Sequence, residues 1–426
     1  MENALSKINN PSCSFEDVVS DPIIARLYRQ PNSSVQKYFK SHSFELLKYS
    51  LSHANTAIEN NSFNIIIYGD PDILMPMLKN DEFLNLALDI VNKNDVEPYV
   101  LGRLSTIMLT ALLVVPELAM ETFGFIYHLL PHCGNPSVLY FFITIVSNEP
   151  QFSPTQKWLL EMGFFDYLLR ELNLIDYSYN STESNVYFDE TYEKVFSLYQ
   201  ILSKCASNPI MVPDLLREDL IEILSMDFKD PPVYVENARW NTILQLTTRE
   251  TSEMMYPIVP RAIKAIETDV KKLPAYIVTA LEMVNLMMDY SPRSSKFVFK
   301  SNMLLNLLNL VNRFMNSTIL LKAFRNFIEV CLRFNDDFVP KMVSLLLPFV
   351  MDFATTRQNR VLAPFCFSIL ELFVESEKRN PKVAQALNEE AGCREFLKGK
   401  YKIYMKNLHK EYGNETKLSG LFRAFI

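Results

Sequence analysis

Apolar residues recur along most of the chain, from Phe15 onward, at the three- to four-residue spacing of an α-helix. In the segment TILLKAFRNFIEVCLRF, which ends at Phe334, the polar residues share one narrow face and the other positions are apolar. Such a wide apolar face is typical of a helix that packs on several sides, as in a stacked array. The pattern predicts an all-α chain of roughly twenty helices with short connections.

Proline marks many of the breaks between these segments, and a short polar residue precedes it. Asp, Asn or Ser at a helix start caps free backbone N–H groups, and proline suits the first helical position. We therefore expect a helix to begin at each such pair, with a capping box at Ser153. The pairs are Asp21-Pro22, Asp70-Pro71, Asn135-Pro136, Ser153-Pro154, Asn208-Pro209, Ser291-Pro292 and Asn380-Pro381.

The stretch FNIIIYGDPDILMPML, from Phe63 to Leu78, has two readings. Its three isoleucines before a Gly-Asp turn could form a buried strand that leads to a phosphate site. Such sites consume glycine, yet the chain has only 9 glycines in 426 residues. We therefore interpret the stretch as one helix that ends at Gly69 and another that begins at Pro71. Pro76 should then kink the second helix.

Low glycine, many helices and no strand signal predict an all-α fold, an armadillo/HEAT-like α-solenoid of degenerate helical repeats. The length allows about nine or ten repeats of roughly 40–47 residues. We expect residues 1–14 to be a disordered N-terminus and residues 15–426 to form a single α-solenoid. The polar stretch at about 176–190 is expected to be an exposed loop.

The distribution of charge along the chain indicates which classes of partner it could bind. The net charge is −7, so the chain lacks the basic footprint of a nucleic-acid-binding protein. From Arg394 to the end the balance is instead +5, which is either a solvated helix or a contact with an acidic partner or a membrane surface. The longest apolar run, Leu104–Met120, is too interrupted for a membrane span.

The cellular compartment is expected to be the cytoplasm or the nucleus. The N-terminus has no apolar signal-peptide core. The six cysteines are scattered without a C-x-x-C pair, which is typical of buried thiols in a reducing compartment.

No motif of catalytic chemistry is present, so we expect no enzyme activity and no cofactor. The best metal candidate is HLLPHC, which holds His128, His132 and Cys133. Two histidines four residues apart suit one helical face, but a zinc site needs three or four converging ligands. Pro131 also interrupts the segment. A helix end with partly exposed histidines is the alternative interpretation.

Two features are candidates for partner binding. Asn306, Asn309 and Asn312 form a stripe on one helix, with Asn326 on the next helix. A carboxamide both donates and accepts, so such a stripe could hold an extended peptide backbone, as in armadillo proteins. The alternative is an ordinary solvent-facing stripe.

The second feature is the segment ENARWNTILQLTTRE, where Asn237, Arg239 and Trp240 lie together. Tryptophan and arginine are frequent anchors of protein interfaces, which makes these residues candidates for partner contact. The alternative is that Trp240 is a core residue.

Several stretches, taken in order, resemble the SAPS-domain family over about residues 15–330. These proteins are regulatory subunits of PPP-class serine/threonine protein phosphatases of the phosphatase-six type. The stretches are SFEDVVSDPIIARLYRQ, NSSVQKYFKSHSFELLKYSL, FNIIIYGDPDILMPMLKNDEFLNLALDIV, GNPSVLYFFITIVS, WLLEMGFFDYLLREL and ENARWNTILQLTTRE. The chain departs from the family in Tyr140, Phe141 and Phe142, and in FMNSTILLKAF near Met315. We also expect it to lack the family's long acidic tail.

The resemblance implies a non-catalytic scaffold that binds a phosphatase catalytic subunit and directs it to substrates. Other proteins would bind through the solenoid groove. The alternative is an armadillo-type adaptor unrelated to phosphatases, such as a peptide-carrying transport factor. An ordered ladder of asparagine and tryptophan would favour that adaptor, and the chain has only one asparagine stripe and two tryptophans.

Overall fold

Helices account for all regular secondary structure in the described part of the chain. The structure is a computed structural model, and it describes residues 2–10, 12–30, 33–52, 56–93, 95–179, 189–334, 337–355 and 361–408. Within these ranges there are 28 α-helices and a few turns of 3-10 or π-helix, and no strand. The prediction of an all-α chain is confirmed.

The chain divides into two compact units, Met1–Gln245 and Leu246–Ile426. That residues 15–426 form a single α-solenoid stays a prediction. The first unit opens with three short helices and continues as repeats of three helices. In chain order its helices are α1 (Glu2–Ile8), α2 (Phe15–Val19), α3 (Ile24–Tyr28), α4 (Ser33–Ser41), α5 (Ser43–Ser50), α6 (Ala57–Ile66), α7 (Pro71–Leu78), α8 (Asp81–Val91), α9 (Pro98–Val114), α10 (Pro116–Thr122), the 3-10 helix Ile126–His132, α11 (Pro136–Val146), the 3-10 turn Pro150–Phe152, α12 (Ser153–Glu161), α13 (Phe164–Asn173), α14 (Glu190–Ala206), α15 (Val212–Leu215), α16 (Glu218–Ser225) and α17 (Val233–Leu246).

Equivalent helices of successive repeats pack on one another in the first unit. The first helices α4, α7, α10 and α12 follow each other in contact, and so do the third helices α9, α11 and α14. The 3-10 helix Ile126–His132 contacts α8 and α13, which makes a row of second helices. Each repeat therefore buries its apolar faces against its neighbours, as expected of a stacked repeat protein.

The second unit repeats the same plan. Its helices are α18 (Ser252–Met255), the 3-10 turn Tyr256–Ile258, α19 (Val259–Glu267), α20 (Ala275–Tyr290), α21 (Pro292–Lys300), α22 (Met303–Arg313), α23 (Thr318–Leu332), α24 (Phe338–Thr355), α25 (Leu362–Glu377), α26 (Pro381–Glu389), α27 (Cys393–Phe396), the π-helix Leu397–Tyr401 and α28 (Lys402–Leu408). The third helices α20, α23 and α25 pack in sequence, and the second helix α19 packs on α22.

Helices begin at five of the seven polar-proline pairs, as predicted, whereas the helices that follow Asp21-Pro22 and Asn208-Pro209 begin only at Ile24 and Val212. The side chains of Asp70, Asn135 and Asn380 each accept from the backbone N–H two residues later, at the starts of α7, α11 and α26. The capping box at Ser153 is wrong, because α12 is entered directly from a 3-10 turn and Phe152 is its N-cap. Gln156 instead donates to the carbonyls of Ile145 and Ser147.

The stretch from Phe63 to Leu78 is a joint between two helices. The helix α6 ends at Ile66, and Gly69 has a positive φ of +79° between α6 and α7. A Cβ at Gly69 would lie 3.2 Å from Val114 Cγ2, so the position is also tight. Pro76 lies inside α7, as predicted, where it has no N–H to donate to the helix.

Two segments were expected to be irregular, and the structure describes a part of each. Within residues 1–14, which were expected to be disordered, the structure has the helix α1 and the N-cap residue of α2, Ser14, and Lys7 Nζ donates to the Asp17 carbonyl at 3.2 Å. The loop expected at about 176–190 falls mainly on residues 180–188, which lie outside the described residues. Its described ends meet where the Tyr179 hydroxyl donates to Asp189 Oδ2 at 2.7 Å.

Candidate functional site

The helix α11 of the first unit exposes one large aromatic side chain. Tyr140 is 64% exposed, whereas Phe141 and Phe142 beside it are buried in the core. Ser137 lies three residues before Tyr140 and Thr144 four residues after it, so the three side chains share one face of the helix. This face lies opposite the side of α11 that packs into the repeat.

Close packing of α9 on α11 sets the register between these two helices. A Cβ at Gly102 would lie 3.0 Å from the Ser137 hydroxyl, so the backbones approach closely there. One turn further along each helix, Thr106 comes level with Tyr140, and another turn brings Thr110 level with Thr144. The Thr106 and Thr110 hydroxyls donate to carbonyls of their own helix, at 2.8 and 2.9 Å. Both threonines are half-buried, and the Thr110 methyl group lies near Gly69.

The next contact fixes α14 against α11. Asn208, just after α14, donates through Nδ2 to the Val146 carbonyl at 2.9 Å. At the other end of the two helices, Cys133 Sγ lies 3.7 Å from the Lys194 carbonyl oxygen. Gln200 lies between these two contacts and comes level with Tyr140.

The helix α17 continues the row with three amide side chains. The Thr242 hydroxyl donates to the Tyr199 carbonyl, and the Ser207 hydroxyl donates to Gln245 Oε1, both at 2.9 Å. Asn237, Asn241 and Gln245 recur every four residues along the outer side of α17, and all three are exposed or half-buried. Of the three, Asn241 lies nearest the level of Gln200, since its neighbour Thr242 contacts Tyr199, whereas Gln245 lies level with Ser207.

These side chains form what we call the third-helix face. It consists of Thr106, Thr110, Ser137, Tyr140, Thr144, Gln200, Asn237, Asn241 and Gln245. None of them carries a charge. The helices α9, α11, α14 and α17 are fully described, and their charged side chains near the face are Glu193, which lies beside Tyr234, and the exposed Lys204.

The third-helix face suits recognition of a polypeptide. Each carboxamide offers two N–H donors and a carbonyl acceptor, which match the C=O and N–H groups of a peptide backbone. Tyr140 adds a large apolar ring with a polar hydroxyl, the combination that is enriched in protein interfaces. The nine side chains hold no nucleophile and base pair that could carry a reaction.

The partner contact predicted for Arg239 and Trp240 is wrong, because both side chains are buried, with 6% and 3% of their surface exposed. Arg239 donates to the carbonyls of Leu224 and Met226 and pairs with Glu236 at 3.1 Å. Burial alone would lower the pKa of Arg239, but the Glu236 carboxylate helps to hold it above its ordinary value. The Arg239–Glu236 pair joins α17 to the end of α16. The alternative interpretation, in which Trp240 is a core residue, is therefore the correct one.

The other predicted partner-binding residues lie at the surface but in separate places. Asn237 is half-buried and belongs to the third-helix face. Asn309 and Asn312 are exposed on the second helix α22, where Asn306 donates to Glu267 Oε1 at 2.9 Å. Asn326 is on a third helix, α23, so the structure does not join it to that stripe. A partner role for Asn306, Asn309 and Asn312 stays a prediction.

The HLLPHC segment forms a 3-10 helix, in which side chains four residues apart do not share a face. His128 Nδ1 lies 3.0 Å from Asn92 Oδ1, and His132 Nε2 lies 2.8 Å from the Val91 carbonyl oxygen. Both histidines therefore contact the end of α8, and Cys133 is buried. Within the described ranges, no group of three or more His, Cys, Asp or Glu residues is placed to hold a metal ion.

Sequence reasoning missed Tyr140, Gln200, Asn241 and Gln245. One signal was present in the apolar segment VLYFFITIV, which had to be either buried or turned toward a partner. The four-residue spacing from Asn237 to Gln245 was a second signal. Neither signal identifies a face without the register between helices.

Comparison with known proteins supports the fold class. No protein-family model matches the chain. No curated protein matches it either. The structure of Kap121p bound to Ste12p is similar to it, with a TM-score of 0.51 and 12% identity over 93% of this chain and 44% of that chain. Kap121p bound to Nup53p gives a TM-score of 0.50 and 13% identity, over 93% and 44%.

This chain therefore spans less than half the length of Kap121p, and at such low identity the likeness shows the fold alone. With it, the predicted armadillo/HEAT-like α-solenoid of degenerate helical repeats is confirmed. None of the described helices has the length and apolar character that crossing a lipid bilayer requires.

Proposed function

We propose that the protein is a non-catalytic interaction scaffold that binds partner polypeptides on the third-helix face of its first unit. The observation that carries this proposal is the exposed, uncharged surface around Tyr140, in which amide groups on α14 and α17 lie level with an exposed aromatic ring. Tyrosine is enriched in protein interfaces, because its side chain combines an apolar ring with a polar hydroxyl.

Affinity purification of the tagged full-length chain tests this proposal through a pair of variants. Tyr140→Ala removes the exposed ring, and Leu174→Ala removes an equally exposed side chain, at 69%, just after α13 and away from the face. We expect Tyr140→Ala to lose proteins that both the wild type and Leu174→Ala retain. Equal partner sets for all three chains, with equal thermal stability, would contradict the proposal.

A finer proposal is that one partner is a serine/threonine phosphatase catalytic subunit of the PPP class. The resemblance to SAPS-domain regulatory subunits supports it, since the similar stretches cover α2 to α8, α11 to α13 and α17. A stacked-repeat fold suits a regulatory subunit of this kind. Purification after low-salt lysis should recover such a catalytic subunit, and repeated absence of any PPP-class enzyme would reject it.

A second candidate is a peptide-carrying transport adaptor. Kap121p, whose fold is similar, has been solved in complexes with Ste12p and Nup53p. Against this candidate, Trp240 is buried and Trp158 lies on the first helix α12, so neither tryptophan reaches the third-helix face. Recovery of nucleoporins rather than a phosphatase would favour the adaptor.

A further inference from the structure

The last described helical stretch of the second unit, residues 393–408, concentrates positive charge. It consists of α27, the π-helix Leu397–Tyr401 and α28, which follow one another without a break. The stretch holds five lysine or arginine residues and a single acidic residue, Glu395. The way in which it packs shows which of these charges are available to a partner.

Aromatic stacking fixes the inner side of the stretch against α25. Tyr404 stacks on Phe367 of α25 with the ring centroids 3.8 Å apart, and Tyr401 stacks on the same ring at 6.5 Å. At the start of the stretch, Arg394 donates through both Nη atoms to Glu377, at 2.7 and 3.1 Å. These contacts hold one side of the stretch on α25 and leave the opposite side facing solvent.

Four lysines occupy the exposed part of the stretch. Lys398, Lys402 and Lys406 recur every four residues and therefore share one side of the helix. Lys400 is also exposed and lies over the Phe396 ring, with Nζ 6.0 Å from its centroid. Among the residues that the structure describes, none of these four lysines pairs with a carboxylate. Their charges are therefore available to an anionic partner, whereas the charge of Arg394 holds the stretch in place.

One large apolar side chain lies among these lysines. Ile403 is 62% exposed, next to Lys402 and one turn before Lys406. Most of its surface stays in water, and its transfer to an apolar environment would be favourable. Lysines together with an exposed apolar side chain on one side of a helix are typical of a helix that lies on a membrane.

The sequence that follows adds a second apolar signal. Residues 409–426 lie outside the described residues, but their composition is informative. No acidic residue follows Glu415, and KLSGLFRAFI, which spans residues 417–426, holds two basic and five large apolar residues. Stable attachment of a protein to a membrane takes two signals, such as a basic patch and an apolar anchor. The chain supplies both within residues 398–426.

Distributed lysines match a charged surface better than they match one carboxylate or phosphate group. Recognition of a single such group favours arginine, whose planar fork binds it with two hydrogen bonds, whereas lysine acts as a point charge. A nucleic acid would also offer no apolar layer to Ile403, since its outer surface is a phosphate backbone. The net charge of −7 does not prevent a local contact, because exposed charges more than about 8 Å away are largely screened at physiological salt.

We infer that the exposed side of residues 398–406 docks on a membrane surface that carries anionic lipid headgroups. The four lysines contact the headgroups, Ile403 enters the interface, and residues 417–426 supply a further apolar contact. This surface shares no residue with the third-helix face, so the inference is independent of the proposed function. Its role is to hold the protein, with any partner bound to it, at a membrane.

Co-sedimentation of the full-length chain with large vesicles tests this inference. One set of vesicles is phosphatidylcholine alone, and the other is phosphatidylcholine with about 30% phosphatidylserine. We expect roughly a hundredfold stronger partitioning to the anionic vesicles at about 0.1 M salt, since each lysine near such a surface contributes roughly fivefold. Most of this difference should disappear at about 1 M salt, where the Debye length is only about 3 Å. Equal partitioning to both kinds of vesicle, or none to either, overturns the inference.

Two matched double variants locate the contact. Lys402→Gln/Lys406→Gln should weaken partitioning to the anionic vesicles roughly 25-fold. Lys79→Gln/Lys93→Gln removes the same charge from two exposed lysines of the first unit and should leave partitioning unchanged. Ile403→Ser should weaken it by a smaller factor, roughly threefold. Equal effects of the two double variants would show unspecific attraction and overturn the inference. Circular dichroism and a thermal melt of each variant check that the fold is retained.

Two further measurements separate a membrane from other occupants of this surface. Phe422→Ser/Phe425→Ser should weaken partitioning roughly tenfold, and unchanged partitioning would overturn the contact assigned to residues 417–426. A fluorescent poly-glutamate chain, followed by anisotropy, should bind only weakly. If it binds tightly, loses that binding in Lys402→Gln/Lys406→Gln and anionic vesicles do not bind, the ligand is an acidic polypeptide and the membrane inference is wrong.

Discussion

The carboxylate of Glu236 holds two neighbouring side chains of α17 in place. Trp240 Nε1 donates to Glu236 Oε2 at 2.9 Å, while Arg239 Nη1 donates to Oε1 at 3.1 Å. Both donors lie on the inner side of the helix, and Arg239 also binds carbonyls at the end of α16. The inner side of α17 is thereby fixed, while Asn237 and Asn241 remain on its outer side.

Replacement of Trp240 by alanine should destabilise the protein by about 3–5 kcal/mol. The large cost follows from its burial, since the indole is 3% exposed and leaves a cavity when it is removed. Chemical denaturation followed by far-UV circular dichroism measures the change. Partner binding by the fraction that remains folded should be unchanged, because Trp240 does not reach the third-helix face.

The variant Trp240→Phe separates packing from hydrogen bonding. It keeps most of the ring volume but loses the N–H group that pairs with Glu236, so a smaller loss of about 1–2 kcal/mol is expected. A Trp240→Ala protein as stable as the wild type, with lost partner binding, would restore the interface interpretation.

Trp240 also shows how far the sequence alone could be used. Periodicity predicted the all-α class, and the polar-proline pairs predicted several helix starts, because both depend on residues close in sequence. The side of a helix that faces solvent depends on contacts between distant residues. The bond from Asn208 to Val146 joins residues 62 positions apart. No local pattern contains this register, so the position of Tyr140 on an outer face could not be predicted.

Asn208 should be important for the stacking of two repeats. It is fully buried, donates to the Val146 carbonyl at 2.9 Å and accepts from the Ile210 N–H at 2.9 Å. Asn208→Ala leaves the Val146 carbonyl and the Ile210 N–H without this partner. It should lower the free energy of unfolding by about 1–3 kcal/mol. The urea midpoint of the full-length protein measures this loss.

The matched variant is Asn380→Ala, at the equivalent position of a later repeat. Asn380 caps Lys382 at 3.0 Å, but its contact with the Phe334 carbonyl is longer, at 3.4 Å. Asn380→Ala is therefore expected to lose less stability than Asn208→Ala. If Asn208→Ala proves the milder variant, the bond to Val146 does not stabilise the stack.

Gly69 should tolerate a side chain poorly for two separate reasons. Its φ of +79° strains an L-residue by roughly 1–2 kcal/mol, and an added Cβ would lie 3.2 Å from Val114 and 3.4 Å from Thr110. Thermal unfolding of Gly69→Ala is therefore expected at a lower temperature than that of the wild type.

Two other glycines separate the two causes. Gly392 has a φ of +76° in open space, so Gly392→Ala should show the strain without the contact. Gly124 has neither a positive φ nor a neighbour within 4 Å of the added Cβ, so Gly124→Ala should be close to neutral. A Gly69→Ala protein no less stable than Gly392→Ala would show that α9 moves to accept the methyl group.

Glu59 should make the stability of the first unit depend on pH. It is the third residue of α6 and closes a capping box with Thr56, while the Ser52 hydroxyl donates to it at 2.5 Å. Burial by itself raises the pKa of Glu59, but the hydrogen bonds from Ser52 and Thr56 outweigh it and hold the pKa below its ordinary value. The ionised form is therefore the one that the folded state favours.

The sign of the pH effect follows from that lowered pKa. The stabilisation by Glu59 is fully present above the unfolded pKa of about 4.3 and is lost as the pH falls through the lower, folded value. Glu59→Gln should therefore lower the urea midpoint at about pH 7, and the difference from the wild type should shrink below about pH 4. Glu161→Gln, at an exposed carboxylate on α12, is the control variant. A difference between Glu59→Gln and the wild type that grows as the pH falls would mean that the folded state favours the protonated Glu59.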